Sequence, residues 1–223
     1  MIKAVVFDMD GTLFDTERVY ANAWRSAGRE LGLPADRVET AVCACTGCNA
    51  KDAKAYFEQH MADLITFDEF IAVRIRHYDE AIERLGCVPK KPGLDELLSY
   101  LKQNGYGIAL ATATRRERTL DNLARTGILE YFDALVTGDA VQHGKPHPET
   151  FLKAAEMLGL APEECMGVED SFNGIRSIHV AGMFTVMIPD TVQPTPEIEA
   201  KLDAKCKTLH DIIPLLQSIN QTV

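Results

Sequence analysis

The chain has 223 residues, with 23 basic against 33 acidic side chains and a formal net charge of −10 at pH 7. That balance excludes the basic footprint that neutralises nucleic-acid phosphates, and equally a polybasic surface for anionic membranes. With 46% hydrophobic and 25% charged residues the chain falls in the ordinary soluble globular class, long enough for one large domain or two small ones.

The first apolar run, residues 2–7, is continuous rather than alternating, as in a parallel strand buried on both faces. Asp8 and Asp10 end it too early for a signal peptide or a membrane span, and no other stretch approaches spanning length. A helix is predicted to start near Thr16, capped by Asp15 or Thr16. Helical periods such as Val19-Ala23-Trp24-Ala27 continue to about Leu85, broken at Gly32-Leu33-Pro34. Pro89, Pro92 and Gly93 mark a change of regime. Beyond them, helices over 94–103, 115–126, 148–158 and 172–181 alternate with strands over 106–111, 134–137, 165–168 and 184–188. A Pro-rich loop at 189–196 and a last helix over 209–218 complete the chain. This order predicts an α/β fold: a doubly wound, Rossmann-like parallel sheet built from 1–15 and 89–223, with an all-helical domain inserted over 16–88.

Six cysteines in a chain of this length do not make a disulfide framework, so reduced thiols in a cytoplasmic protein are expected. Cys43, Cys45 and Cys48 lie close together but lack a fourth partner at zinc-site spacing. The stretch from Gly138 to Lys145 has one intervening residue too many for a Walker loop, and Pro146 stands where Ser or Thr belongs. His143 and His147 flank Lys145 in a segment containing Pro146 and Pro148, so helical ligand spacing does not apply and they read as surface histidines.

In an open parallel sheet, ligands bind beyond the carboxyl ends of the strands. The predicted strand ends gather Asp8-Met9-Asp10-Gly11-Thr12, Thr112-Ala113-Thr114, Gly144-Lys145-Pro146 and Glu169-Asp170-Ser171. Asp8, Asp10, Glu169 and Asp170 placed on one rim repel one another unless they protonate or a cation joins them. An oxygen-only donor set of this kind suits Mg²⁺. Thr112 is expected to cap the following helix, and Thr114 reads as a cap rather than a ligand.

Asp8-x-Asp10-Gly-Thr12, the strand-end Thr112, the isolated Lys145 and Glu169-Asp170, in this order, resemble the four motifs of the haloacid dehalogenase superfamily. The helical insert after the first motif resembles that family's type-one cap. Gly144-Lys145-Pro146-His147-Pro148-Glu149 is similar to the branch holding β-phosphoglucomutase and small sugar-phosphate phosphatases. The resemblance implies a Mg²⁺-dependent phosphatase in which Asp8 is the nucleophile and Asp10 the general acid and base. It implies that Asp8, Asp10 through its carbonyl, and Asp170 hold the metal, with Glu169 acting through water. Thr112 and Lys145 would bind the transferring phosphoryl group.

The resemblance also implies that the cap loop around Gly47, with Asn49, faces the substrate, and Arg116 after the second motif is a further candidate contact. β-Phosphoglucomutases carry basic residues around that glycine and a histidine at the position of Tyr20. Here Cys45, Thr46, Cys48, Asn49 and Ala50 are neutral, which favours a plain phosphatase acting on a small phosphorylated metabolite with one phosphate. Lys51 and Lys54 keep a sugar-phosphate mutase as the alternative. A metal-free 2-haloacid dehalogenase and a non-catalytic binding relative are weaker readings, because the metal carboxylates, Asp8 and Asp10 are all present. A monomer with no nucleic-acid or membrane partner is expected.

Overall fold

The computed structural model describes residues 1–45 and 50–221. The chain divides into two compact units, Met1–Asp15 with Pro89–Val223, and Thr16–Val88.

The first unit is a six-stranded, all-parallel sheet. Its strands are β1 (Ala4–Phe7), β2 (Gly107–Ala111), β3 (Ala134–Val136), β4 (Cys165–Glu169), β5 (Phe184–Met187) and β6 (Ala204–Lys205), in spatial order β3-β2-β1-β4-β5-β6. The doubly wound fold expected from the alternating pattern is the fold observed. Ala-Val-Val-Phe of β1 is buried at every position, which explains its unbroken apolar run. Ala4 and Val6 pack with Ala109, Ala111, Ala134 and Val136 into one cluster, covered by Phe151, Ala154 and Ala155 of a helix following β3 and by Ile178 of one following β4. Val5, Phe7, Ile108 and Leu110, one residue out of phase, serve the opposite face and are buried as well.

The helices of the second unit come first in the chain: α1 (Thr16–Glu30), α2 (Ala35–Cys45), α3 (Ala50–His60) and α4 (Phe67–Leu85). Their core gathers Trp24, Ala27, Val38, Val42, Phe57, Met61 and Phe70, with the Trp24 and Phe57 rings 4.9 and 5.0 Å from that of Phe70. Thr66 accepts from the Glu69 N–H and the Glu69 carboxylate accepts from the Thr66 N–H, a reciprocal cap that starts α4.

In the first unit follow α5 (Leu94–Gln103), α6 (Arg116–Arg125), α7 (Glu149–Leu158), α8 (Phe172–Ala181), the short α9 (Pro196–Glu199) and α10 (Ile212–Gln221). Leu94, Leu97, Leu98 and Leu101 form the buried row of α5. The chain leaves this unit at Asp15 and returns at Pro89, where the Asp15 N–H donates to the Pro89 carbonyl and the Lys91 N–H to that of Leu13. Near the C-terminus, the Asn220 side chain accepts from the Ile2 N–H and donates to the Ile2 carbonyl and the Tyr106 hydroxyl, tying α10 to the start of β1. The segment at 189–196, expected as loop throughout, ends in the first residue of α9. The N-cap Thr195 accepts from the Ile198 N–H there, with Pro196 at the first helical position. No helix among the described residues is long and apolar enough to cross a membrane.

Candidate active site

Strand register builds the site. Phe7 pairs with Leu110 on one side and Val168 on the other, so Asp8 emerges between the ends of β2 and β4. Strand order reverses between β1 and β4, which makes this the switch point where a doubly wound sheet opens a crevice. The Asp8 N–H still donates to the Val168 carbonyl at 3.0 Å, and the chain then turns sharply, the Leu13 and Phe14 N–H groups both donating to the Met9 carbonyl. Gly11 sits in this turn at φ +88°, and a Cβ there would overlap the Asp170 carboxylate. Two constraints, backbone and space, therefore require glycine.

Lys145 lies at the centre. Its ammonium donates to Asp8 Oδ1 at 2.5 Å and to Glu169 Oε1 at 2.9 Å, and stands 4.9 Å from the centre of the Phe151 ring. The Lys145 side chain is 8% exposed and that of Glu169 2%. The second Glu169 oxygen accepts from the Ser171 N–H. Ser171 in turn caps α8 by accepting from the Gly174 N–H at 3.1 Å. Asp170 is buried and its Oδ1 accepts from the Thr12 hydroxyl at 2.8 Å. The Asp10 Oδ2 accepts from the Thr114 hydroxyl at 2.6 Å, and Thr112 is buried with its hydroxyl oxygen accepting from the Thr114 N–H.

The electrostatics follow from burial. Desolvation pushes the Asp8 carboxyl up to about 8; Lys145 opposes the rise, and the Glu169 and Asp10 charges add to it. Burial disfavours the Lys145 ammonium, but Asp8 and Glu169 together outweigh that and hold it protonated well above the ordinary lysine range. One ammonium is thus shared between two buried carboxylates, with a third near by. The donor set is oxygen-only and under-compensated by about one cation, which fits a hard dication such as Mg²⁺.

Asp8, Lys145 and Glu169 thus meet directly, and the register brings the turn of Asp10 and the strand ends bearing Thr112 and Asp170 to the same rim. Arg116 does not join them through any hydrogen bond described; it is exposed at the start of α6, where its N–H donates to Asp139. Gly47 and Asn49 lie outside the described residues. Two hydroxyls differ from expectation. Neither Thr112 nor Thr114 caps α6: its N-cap is Arg115, without a side-chain cap bond, because Thr112 turns onto the Thr114 N–H and Thr114 reaches Asp10. Thr114 is the site residue that sequence reading missed. Its spacing carried no signal beyond a hydroxyl two positions past a strand end.

The two histidines flanking Lys145 are exposed, as expected of surface residues, and the fold of their segment brings them together. Glu149 accepts from the N–H groups of Gln142 and His143 and folds the segment back on itself, bringing the His143 and His147 rings to 4.7 Å. Glu149 is held down at about 2 by Lys153 first and then by the Gln142 N–H, against desolvation, with the His143 N–H and ring adding lesser contributions.

Comparison with known proteins identifies the family. The family model for haloacid dehalogenase-like hydrolases matches residues 2–182. A phosphorylated carbohydrates phosphatase of Thermotoga maritima is 32% identical over 183 residues, covering 82% of each chain. The β-phosphoglucomutase of Bacillus subtilis is 30% identical over 197 residues, covering 83% of this chain and 82% of that one. The crystal structure of a HAD family hydrolase from Deinococcus radiodurans, with bound phosphate and sodium, superposes with a TM-score of 0.80 at 26% identity, covering 97% of this chain and 96% of that one. The chain belongs to the haloacid dehalogenase-like hydrolase family, and it is an enzyme of the phosphatase class.

Proposed function

We propose that the chain is a Mg²⁺-dependent phosphomonoesterase for a small phosphorylated metabolite, a sugar phosphate foremost, working through a phosphorylated Asp8. The observation that carries this reading is the Lys145 ammonium shared by buried Asp8 and Glu169 at the sheet's switch point. Such a lysine opposes the protonation that burial imposes on Asp8 and offers positive charge to an incoming phosphoryl group, and a bound cation would complete the ionisation of the nucleophile.

In the first step an Asp8 carboxylate oxygen forms a bond to phosphorus while the bond from phosphorus to the ester oxygen breaks. Asp10, oriented by the Thr114 hydroxyl, gives its proton to the departing alkoxide. In the second step water attacks the phosphorylated Asp8, Asp10 takes the water proton, and inorganic phosphate leaves. Thr112 and Lys145 hold the phosphoryl oxygens. Asp8, Asp170 and the Asp10 carbonyl would hold Mg²⁺, with Glu169, whose two oxygens already engage Lys145 and the Ser171 N–H, contributing charge from outside. When bound, the ion neutralises charge between Asp8 and the phosphoryl group. The helical unit is assigned the part of a substrate-reading cap.

The carbohydrate-phosphate phosphatase among the relatives supports the substrate class. The neutral residues around Gly47 and Tyr20 at the hinge weigh against the mutase activity named for the Bacillus relative. A phosphate-release screen over sugar phosphates, nucleotides and small phosphorylated metabolites, with Mg²⁺ and with EDTA, tests the reading. Metal-dependent release is expected, abolished in Asp8→Asn while its melting curve is retained. Turnover by Asp8→Asn refutes the mechanism, and sugar-phosphate isomer formation that needs a bisphosphate activator assigns the mutase instead.

A further inference from the structure

The segment that carries Lys145 holds a second group of metal-binding atoms, separate from the carboxylate rim. His143, His147 and Glu149 each offer one ligand atom, and these atoms lie within 4.8 Å of one another. Main-chain hydrogen bonds hold part of this arrangement in place. Glu149 Oε1 accepts from the Gln142 N–H at 3.0 Å and from the Lys153 ammonium at 2.7 Å, and its Oε2 from the His143 N–H at 2.9 Å. His147 is anchored from both ends: its ring Nδ1 accepts from the Glu149 N–H at 3.3 Å, and its carbonyl accepts from the Ser177 hydroxyl at 2.8 Å. His143 Nδ1 faces Glu149 Oε2 at 3.2 Å. That contact holds the imidazole beside the carboxylate, and an ion bound by both would replace the proton they share.

The chemistry of this set differs from that of the rim. Two imidazoles and one carboxylate form a mixed nitrogen and oxygen donor set, which suits borderline transition dications and not Mg²⁺. Three protein ligands leave a coordination position for water, as in open zinc sites. We propose that His143, His147 and Glu149 form a transition-metal site that takes Zn²⁺ from solution. An ion there closes the chain from His143 to Glu149 into a ring around Lys145. Occupancy therefore stiffens the segment that delivers the ammonium to Asp8 and Glu169. The neighbouring Lys153 ammonium pairs with Glu149, so the site binds Zn²⁺ more weakly than it would with Glu149 unpaired.

The test is titration of the whole chain, stripped by EDTA and dialysed into saturating Mg²⁺ and a thiol reductant, with Zn²⁺ as the probe. Binding is read by calorimetry and by the imidazole NMR signals of the six histidines. The ring signals of His143 and His147 are expected to move together and before the other four. His143→Ala and His147→Ala are each expected to weaken that binding event at least tenfold. His143 is 63% exposed in its side chain and belongs to neither the nucleophile nor the phosphoryl cradle, so His143→Ala keeps the Mg²⁺-supported activity and thereby reports that the fold is intact. Absence of binding, Zn²⁺ affinity unchanged in both variants, or shifts that begin at other histidines overturns the proposal.

Discussion

Gly174→Ala isolates how tightly the site is packed. Gly174 is in the first turn of α8, and a Cβ there would occupy the space of the Glu169 carboxylate. Its φ is not in the left-handed region, so the backbone tolerates alanine, and helix propensity alone would favour the change by about 1 kcal/mol. Opposing this, Glu169 must swing away from Lys145 and from the Ser171 N–H, losing two charge-assisted hydrogen bonds of roughly 1.5–3 kcal/mol each. The balance is a destabilisation of about 2–5 kcal/mol. For a chain of this size that lowers the melting temperature by roughly 5–15 °C. Turnover falls as well, since Lys145 is left on Asp8 alone. Glu169→Ala removes the obstacle, so in that background Gly174→Ala is neutral or slightly stabilising. Differential scanning calorimetry of the four proteins closes the cycle. A single Gly174→Ala variant that melts at or above wild type with full activity refutes the argument.

Lys145→Met leaves Asp8 and Glu169 as buried carboxylates without their shared cation, a loss on the order of 3–5 kcal/mol at neutral pH. Protonation relieves that loss, so the melting-temperature deficit is expected to shrink between pH 8 and pH 5, and equal deficits would contradict it. Thr114→Val removes the hydroxyl that donates to Asp10; kcat should drop about tenfold, near the worth of one such bond, with KM within about twofold and melting nearly unchanged. Full turnover would mean that Asp10 is oriented by other means. Without metal, burial pushes the Asp8 carboxyl up to about 8 from an ordinary value of 3.8. The folded state holds that proton more tightly, so its contribution is complete below about pH 4 and is lost as pH rises through about 8. Melting temperatures in EDTA should therefore fall across this range and Mg²⁺ should abolish the fall; parallel profiles with and without metal would refute the charge argument.

The sheet was legible where pattern and length were generous. Continuous apolar runs followed by acids marked β1 and β4, and the buried row of α5 has helical spacing. β6 was not legible, because Ala204 and Lys205 are two residues with no period to detect. α9 was hidden by the prolines at 194 and 196, although a threonine followed by proline is itself a helix start. At the site, Asp8, Lys145 and Glu169 were found because strand ends converge in any sheet of this order. The Thr114 contact with Asp10 and the approach of His143, His147 and Glu149 to one another were not legible, for one shared reason. Each depends on how a loop folds back, and hydrogen bonds to main-chain N–H groups, not side-chain spacing, decide that.

The net charge of −10 and a site for phosphate are compatible because screening makes charge local. At physiological ionic strength exposed charges beyond about 8 Å are largely screened, so the approach of an anion is decided by the few groups within that distance. There Lys145 is already committed to two carboxylates, and it cannot by itself make the crevice positive. Burial is the main cause of the rise at Asp8, and the Glu169 and Asp10 charges that add to it favour a dication; once a dication is bound a phosphate anion is favoured in turn. Metal and phosphate then strengthen each other's binding by the same factor, as linkage requires. In the proposed enzyme the acidic rim therefore couples substrate affinity to metal occupancy, and a more basic rim would bind phosphate without that coupling.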